Sequence, residues 1–172
     1  MPSHVLVAYD GSSQAEAALE LALESFPDAH VTLLTAIDPL DAGSRRRITI
    51  SPFGAQWLED AREDATATLD DAADRAHEAD VDVDVDTAIE VGRPANVIVG
   101  YAEEHAVDHV VMGSHGRSGV TRILLGSVAE TVIRRSPVPV TVARDQGAVS
   151  GDSAENGSTQ ESTNEVTEEG PA

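Results

Sequence analysis

The stretch His4-Val-Leu-Val-Ala-Tyr9-Asp10-Gly11-Ser12-Ser13 carries a short, nearly continuous apolar run that stops at an Asp-Gly pair. An apolar run without polar alternation fits a strand buried on both faces, the environment of a parallel sheet. Directly after it, Ser13 with Glu16 reads as a capping box. Ala15, Ala18, Leu19, Ala22 and Leu23 then follow at helical spacing. The chain therefore begins with a buried strand that feeds an amphipathic helix through a tight turn.

The alternation continues. His30 to Ile37 is a second buried strand, ended by Asp38-Pro39. Residues 38–53 form a loop holding Arg45-Arg46-Arg47, a basic cluster that either stays solvated or recruits an anionic partner. From Gly54 to Asp80 runs an alanine-rich helix whose buried stripe includes Trp57, Leu58, Ala61, Ala65, Leu69 and Ala72. Val81-Asp-Val-Asp-Val-Asp86 alternates strictly and predicts a half-exposed edge strand continuing to Ile89. Gly92-Arg-Pro94 breaks the chain, and Pro94 suits the first turn of a helix ending near Glu104. Val107 to Met112 and Val138 to Ala143 are the fourth and fifth strands. Between the last two strands lie a glycine-rich loop and a helix from Ser127 to Arg135, with Ser127 and Glu130 as a second capping box. Pro137 and Pro139 suit a fifth strand at an edge. Five strands alternating with four helices predict an α/β fold. It is a doubly wound five-stranded parallel sheet with helices on both faces, Rossmann-like in plan.

Composition narrows the chemistry. The chain has 172 residues and 18.0 kDa, with no cysteine, and all 11 of its basic residues are arginine. Disulfides, thiolate nucleophiles and Cys-ligated metals are excluded, as are a lysine Schiff base and a Walker lysine. The net charge of −20 repels nucleic acid and anionic membranes, so neither is an expected partner. Carboxylates in excess with lysine absent suit concentrated salt, where at ~1 M the screening length is roughly 3 Å. With no basic-then-apolar leader and no apolar run near the ~18 residues that span a bilayer, a cytoplasmic, halophilic protein is expected. At Arg144 the composition shifts. Residues 145–172 carry seven acidic side chains and no basic ones, so a folded domain over 1–144 and a disordered acidic tail over 145–172 are expected.

Ligands of doubly wound sheets bind beyond the strands' carboxyl ends, where the strand order reverses. Two strand ends carry unusual sequences: Asp10-Gly11-Ser12-Ser13 and Gly113-Ser-His-Gly116-Arg-Ser-Gly119. If the first and fourth strands are neighbours, both segments face one pocket. Glycines at 113, 116 and 119 allow sharp turns and close approach of amides, and Gly126-Ser127 opens a helix whose free amides suit a phosphate. Spacing alone leaves two readings: a phosphate site, or glycines serving loop turns with Ser127 as an N-cap.

The spacing Gly113-x2-Gly116-x9-Gly126-Ser127 resembles the nucleotide-binding motif of the universal stress protein family. Val-Ala-Tyr-Asp10-Gly11-Ser12, Thr-Ala-Ile-Asp38 and Gly92-Arg-Pro94 resemble that family too, in the right order across residues 3–143. The resemblance implies the adenine nucleotide alpha hydrolase-like variant of the fold and, with the glycine motif intact, ATP binding with Mg2+. It implies that Ala8 lines the base, that the Ala36 backbone contacts adenine, and that Met112 and Gly113 flank the ribose. Asp10, with Ser12 beside it in the motif, would lie by the adenosine and the metal-phosphate region, within reach of an ATP-bound Mg2+. Gly116 would approach the phosphates, Gly126, Ser127 and Val128 would hold their oxygens, and Arg117 would help neutralise them. A homodimer through the last strand, Val138 to Val142, is implied as well.

Other features carry less. Asp10 is alternatively a turn-former, and His115 is either a phosphate contact or base, or an exposed loop residue. His105 and His109 have i,i+4 spacing but straddle a helix end and a strand start, which disfavours a metal pair. No acid–base pair or activated nucleophile stands out, which favours a nucleotide-dependent regulatory or stress-response switch over an efficient enzyme. A slow ATPase on the same fold is the alternative.

Overall fold

The structure, a computed structural model, describes residues 1–40, 54–79, 84–114 and 125–144. Arg45 to Arg47, residues 81–83, His115, Gly116, Arg117, Gly119 and the segment 145–172 lie outside the described residues. The elements are β1 (His4–Ala8), α1 (Ser13–Ser25), β2 (His30–Ile37), α2 (Gly54–Glu78) and β3 (Val85–Val91). They continue with α3 (Pro94–Glu104), β4 (His109–Gly113), α4 (Ser127–Arg135) and β5 (Val140–Ala143). The sheet order is β3-β2-β1-β4-β5, and every pair is parallel. β1 and β4 are therefore neighbours, and the two edges are β3 and β5, as the Asp alternation and the flanking prolines predict.

Strand alternation sends successive side chains to opposite faces. Val5, Val7 and Tyr9 of the first strand segment join Val31, Leu33 and Val111 in one cluster, covered by α1 and α2. Leu6, Leu34, Val110 and Met112 join the other cluster, covered by α3 and α4. Both clusters exclude water almost completely, with Leu6, Leu33, Leu69, Val110 and Val132 among the fully buried side chains. Each such side chain contributes about 1.5–3 kcal/mol by leaving water. Alanines 65, 72 and 76 in the buried stripe of α2 are too small to hold the helix away from the sheet.

Several boundaries differ from the sequence reading: β4 opens at His109 rather than Val107 and closes at Gly113, and β5 opens at Val140 rather than Val138. The cap of α1 is Ser12, not Ser13: its hydroxyl accepts from the Ala15 amide at 3.2 Å. The cap of α4 is Gly126, which has no side chain, so Ser127 is the first helical residue and neither capping box forms. Each Ser-x-x-Glu pattern sits one residue too far along because the preceding residue already has the extended backbone that a cap requires. The third strand is described over Val85–Val91 and so runs past the Ile89 end of the sequence reading, whose expected start at 81–83 lies outside the described residues. Among the described residues no helix is long and apolar enough to cross a membrane.

At the amino ends of the strands, the Asp108 carboxylate accepts from the Ser3 amide (2.9 Å), the Ser3 hydroxyl (2.6 Å) and the His4 amide (3.0 Å). Those bonds from Ser3 hold its carboxyl below the ordinary aspartate range. His4 places Nδ1 at 3.2 Å from the His105 carbonyl and Nε2 at 2.9 Å from the buried Thr32 hydroxyl. The carbonyl can only accept, so Nδ1 carries the proton and Nε2 accepts, as befits a neutral ring. His105 stacks on Tyr101, whereas His109 meets the Thr141 hydroxyl and Phe26, so the two imidazoles face different neighbours.

Burial, reinforced by His30, holds His4 below the imidazole value of 6.5, and burial alone does the same for His109. The unfolded chain then takes up protons before the folded one. The stability is fully present above pH 6.5 and is lost as pH falls through the folded values beneath it. The urea midpoint at fixed salt should decline as pH falls from about 7 through and below 6.5, and the double change His4→Gln with His109→Gln should flatten that slope. An unchanged slope in the double variant would assign it to other groups.

Candidate functional site

Chain leaves β1 and β4 side by side at their carboxyl ends, where Ala8 pairs with Met112. From β1 it turns through Asp10 and Gly11. Gly11 has φ 75°, the left-handed region that a side chain disfavours. The Asp10 Oδ1 accepts from the Ser12 amide at 3.0 Å and the Ser12 hydroxyl at 2.6 Å, closing an Asx turn. Asp10 thus closes the turn through one carboxylate oxygen, and Ser12 is held between that carboxylate and the first turn of α1.

Gly113 is the last residue of β4 rather than part of a loop. A Cβ there would stand 2.7 Å from the Gln14 Cβ and 2.9 Å from the Gln14 carbonyl carbon and oxygen. The glycine is required because α1 passes this close over the strand end, a packing reason invisible in the spacing. Beyond it, the Ser114 amide donates to the Ala143 carbonyl (2.9 Å), and the Ser114 carbonyl accepts from the Gly126 amide (2.8 Å). Those two bonds tie the exit of β4 to β5 on one side and to the start of α4 on the other.

The amino end of α4 is therefore fixed at the carboxyl end of β4. Its first amides, from Ser127 onward, have no acceptor within the helix, and Gly126 offers no side chain to cap them. The peptide dipoles place roughly half a positive charge there. Arginines of α4 are at its other end, where Arg134 meets Glu130 (2.8 Å) and Arg135 meets Asn96 (2.6 Å). The side of α4 facing the strand ends thus offers donors through its backbone amides.

Ala8, Met112 and Val128 pack together against the α3–α4 face of the sheet. Ala36 shares that face with Leu34 by alternation. Its backbone is placed more tellingly. The ladder to β1 ends with the Tyr9 amide donating to the Leu34 carbonyl at 2.9 Å. Two residues on, the Ala36 amide and carbonyl face the same side, beyond the point where β1 has left. The structure so brings Ala8, Asp10, Ser12, Ala36, Met112, Gly113, Gly126, Ser127 and Val128 to one end of the sheet, around the β1–β4 junction. Gly116 and Arg117 lie outside the described residues. Sequence reasoning missed Gln14, Ser114 and Thr35, whose hydroxyl donates to the Tyr9 carbonyl at 2.6 Å. Ser114 and Thr35 fall inside the quoted motif segments, but their roles come from contacts between segments distant in the chain, which no local pattern shows. Among the described residues no group of three or more His, Asp or Glu side chains is arranged to hold a metal ion.

The sequence model of the universal stress protein family matches residues 1–144. Among solved structures, the hypothetical protein MJ0577, subject of a structure-based assignment of biochemical function, is 32% identical with a TM-score of 0.71. The match covers 85% of this chain and 98% of that one. Universal stress protein UspA from Lactobacillus plantarum is 26% identical with a TM-score of 0.68, over 83% of this chain and 97% of that one. A universal stress protein in complex with cAMP is 30% identical with a TM-score of 0.60, over 83% and 97% of the two chains.

The two described glycines with opposite surroundings give a paired test. Gly113→Ala forces the Gln14 backbone to move and should destabilise the fold by about 1–3 kcal/mol. Gly100→Ala, inside α3 with nothing within 4 Å of its new Cβ, should stabilise by up to about 1 kcal/mol. Urea denaturation of both variants reads the signs, and equal effects would refute the close approach of α1.

Proposed function

The chain belongs to the universal stress protein family, and from that premise we propose that it binds ATP, carried with Mg2+, as a nucleotide-dependent regulatory or stress-response switch. The nucleotide lies across the carboxyl ends of β1 and β4. Ala8 lines the base, the Ala36 backbone meets the adenine edge, and Met112 and Gly113 flank the ribose. Gly126, Ser127 and Val128 hold phosphate oxygens by amide and hydroxyl, with Gly116 approaching and Arg117 offsetting charge. Asp10 stands by the metal-phosphate region with Ser12 at its side; Mg2+ favours such a carboxylate combined with phosphate oxygens and water. The unit spans residues 1–144, pairs into a homodimer through Val138 to Val142, and works in the salt-rich cytoplasm that its composition suits.

One observation carries the reading: the 2.8 Å bond from the Gly126 amide to the Ser114 carbonyl. It sets an uncapped helix start beside the switch point of the sheet, and a phosphate is the natural acceptor for such amides. The relative solved with cAMP supports an adenine nucleotide as the ligand class.

Calorimetry in high salt with ATP and Mg2+ tests the reading. The chain should bind, and Gly126→Val should weaken binding at least about tenfold through crowding of the helix start, without lowering the urea midpoint. No heat with ATP, AMP or cyclic AMP would sink it. Slow product formation that vanishes with Asp10→Ala would move the assignment to an ATPase.

A further inference from the structure

We propose that Thr35 is a positioning residue of the nucleotide site, an inference that rests on the reading just given. Thr35 lies on β2, within the Thr-Ala-Ile-Asp38 segment, and is paired in register with Ile89 on the far side. Its hydroxyl reaches across to donate to the Tyr9 carbonyl at 2.6 Å. In a parallel ladder, the bond after Tyr9 N–H to Leu34 C=O would run from the Ala36 amide to the Tyr9 carbonyl. That backbone bond is absent among the described residues. The Thr35 hydroxyl supplies the Tyr9 carbonyl with its donor instead.

Two consequences follow for the site. The Tyr9 ring is buried in the α1–α2 cluster and Tyr9 as a whole is only 2% exposed, so its carbonyl needs a partner within the protein. With the ring and the carbonyl both held, the Tyr9–Asp10 peptide has one orientation, and Asp10 enters its turn from a fixed direction. The Ala36 amide meanwhile remains directed past the end of β1, where the adenine edge lies in this reading. A hydroxyl in place of a ladder bond thus keeps a backbone donor available to the ligand.

The test compares Thr35→Val, which keeps the shape and removes the donor, with Thr35→Ser, which keeps the donor. Loss of the donor lets the Tyr9 carbonyl take the Ala36 amide. Thr35→Val should then weaken ATP binding by about tenfold, with Thr35→Ser restoring it. Amide NMR of the nucleotide-free protein gives an independent readout. In Thr35→Val the Ala36 amide should become protected from exchange and the Asp10 to Ser12 resonances should shift; in Thr35→Ser both should match the parent. If the parent binds no nucleotide, the functional reading fails, yet the NMR comparison still decides the positioning role. Unmoved resonances and unchanged binding in Thr35→Val would overturn the inference, and Thr35→Ala repeats the comparison should the valine variant not fold.

Discussion

The reversal of strand order at β1 governs this molecule. From β1 the chain adds β2 and β3 on one side, then crosses back to place β4 and β5 on the other. β1 and β4 thus become neighbours that belong to separate halves of the chain, and their outgoing segments diverge. The segment after β1 rises into α1 on one face, whereas the start of α4, tied to the exit of β4, leads to the opposite face. In doubly wound sheets such divergence leaves a crevice at the strand ends, the general place where their ligands bind. Asp10, the Ala36 backbone and the start of α4 are functional candidates because they border that crevice.

Around it, short polar contacts replace the regular ladders that have ended. Asp10 closes a turn through Ser12, Ser114 bridges β5 and α4, and Thr35 satisfies the Tyr9 carbonyl. Each supplies a partner to a group that would otherwise be left unpaired at a strand or helix end. Some of these groups also define what the crevice offers a ligand. Gly126 brings no side chain to cap the helix start, and the Thr35 hydroxyl leaves the Ala36 amide unclaimed by Tyr9. Contrast with α1 is instructive, since there Ser12 occupies the equivalent helix start with its own hydroxyl.

The absence of lysine fits this arrangement. A phosphate held by backbone amides and a hydroxyl needs no ammonium group, and the described arginines of α4 are committed at its carboxyl end to Glu130 and Asn96. Loss of lysine in an acidic chain therefore leaves the proposed phosphate contacts intact. The acidic surface and the amide-lined crevice are separate properties of one sequence, the first set by side-chain composition and the second by where helices begin.

The sequence by itself determined which segments become strands and helices. Continuous apolar runs at 4–9 and 30–37, helical spacing in α1 and α2, and Pro94 at the start of α3 are local signals that the fold had no reason to override. The glycine spacing marked the β4–α4 region for the same reason, as did Asp10-Gly11, whose turn needs a positive φ. Tertiary structure decided the rest. Cap positions shifted by one residue because backbone conformation, not the Ser-x-x-Glu pattern, selects the cap. Gly113 proved necessary through Gln14, a residue 99 positions away in the chain. The adjacency of β1 and β4, the direction of the Ala36 amide and the bond from Thr35 to Tyr9 all depend on strand order. Periodicity reports only which face of its own element a residue occupies, whereas these features arise from which elements meet.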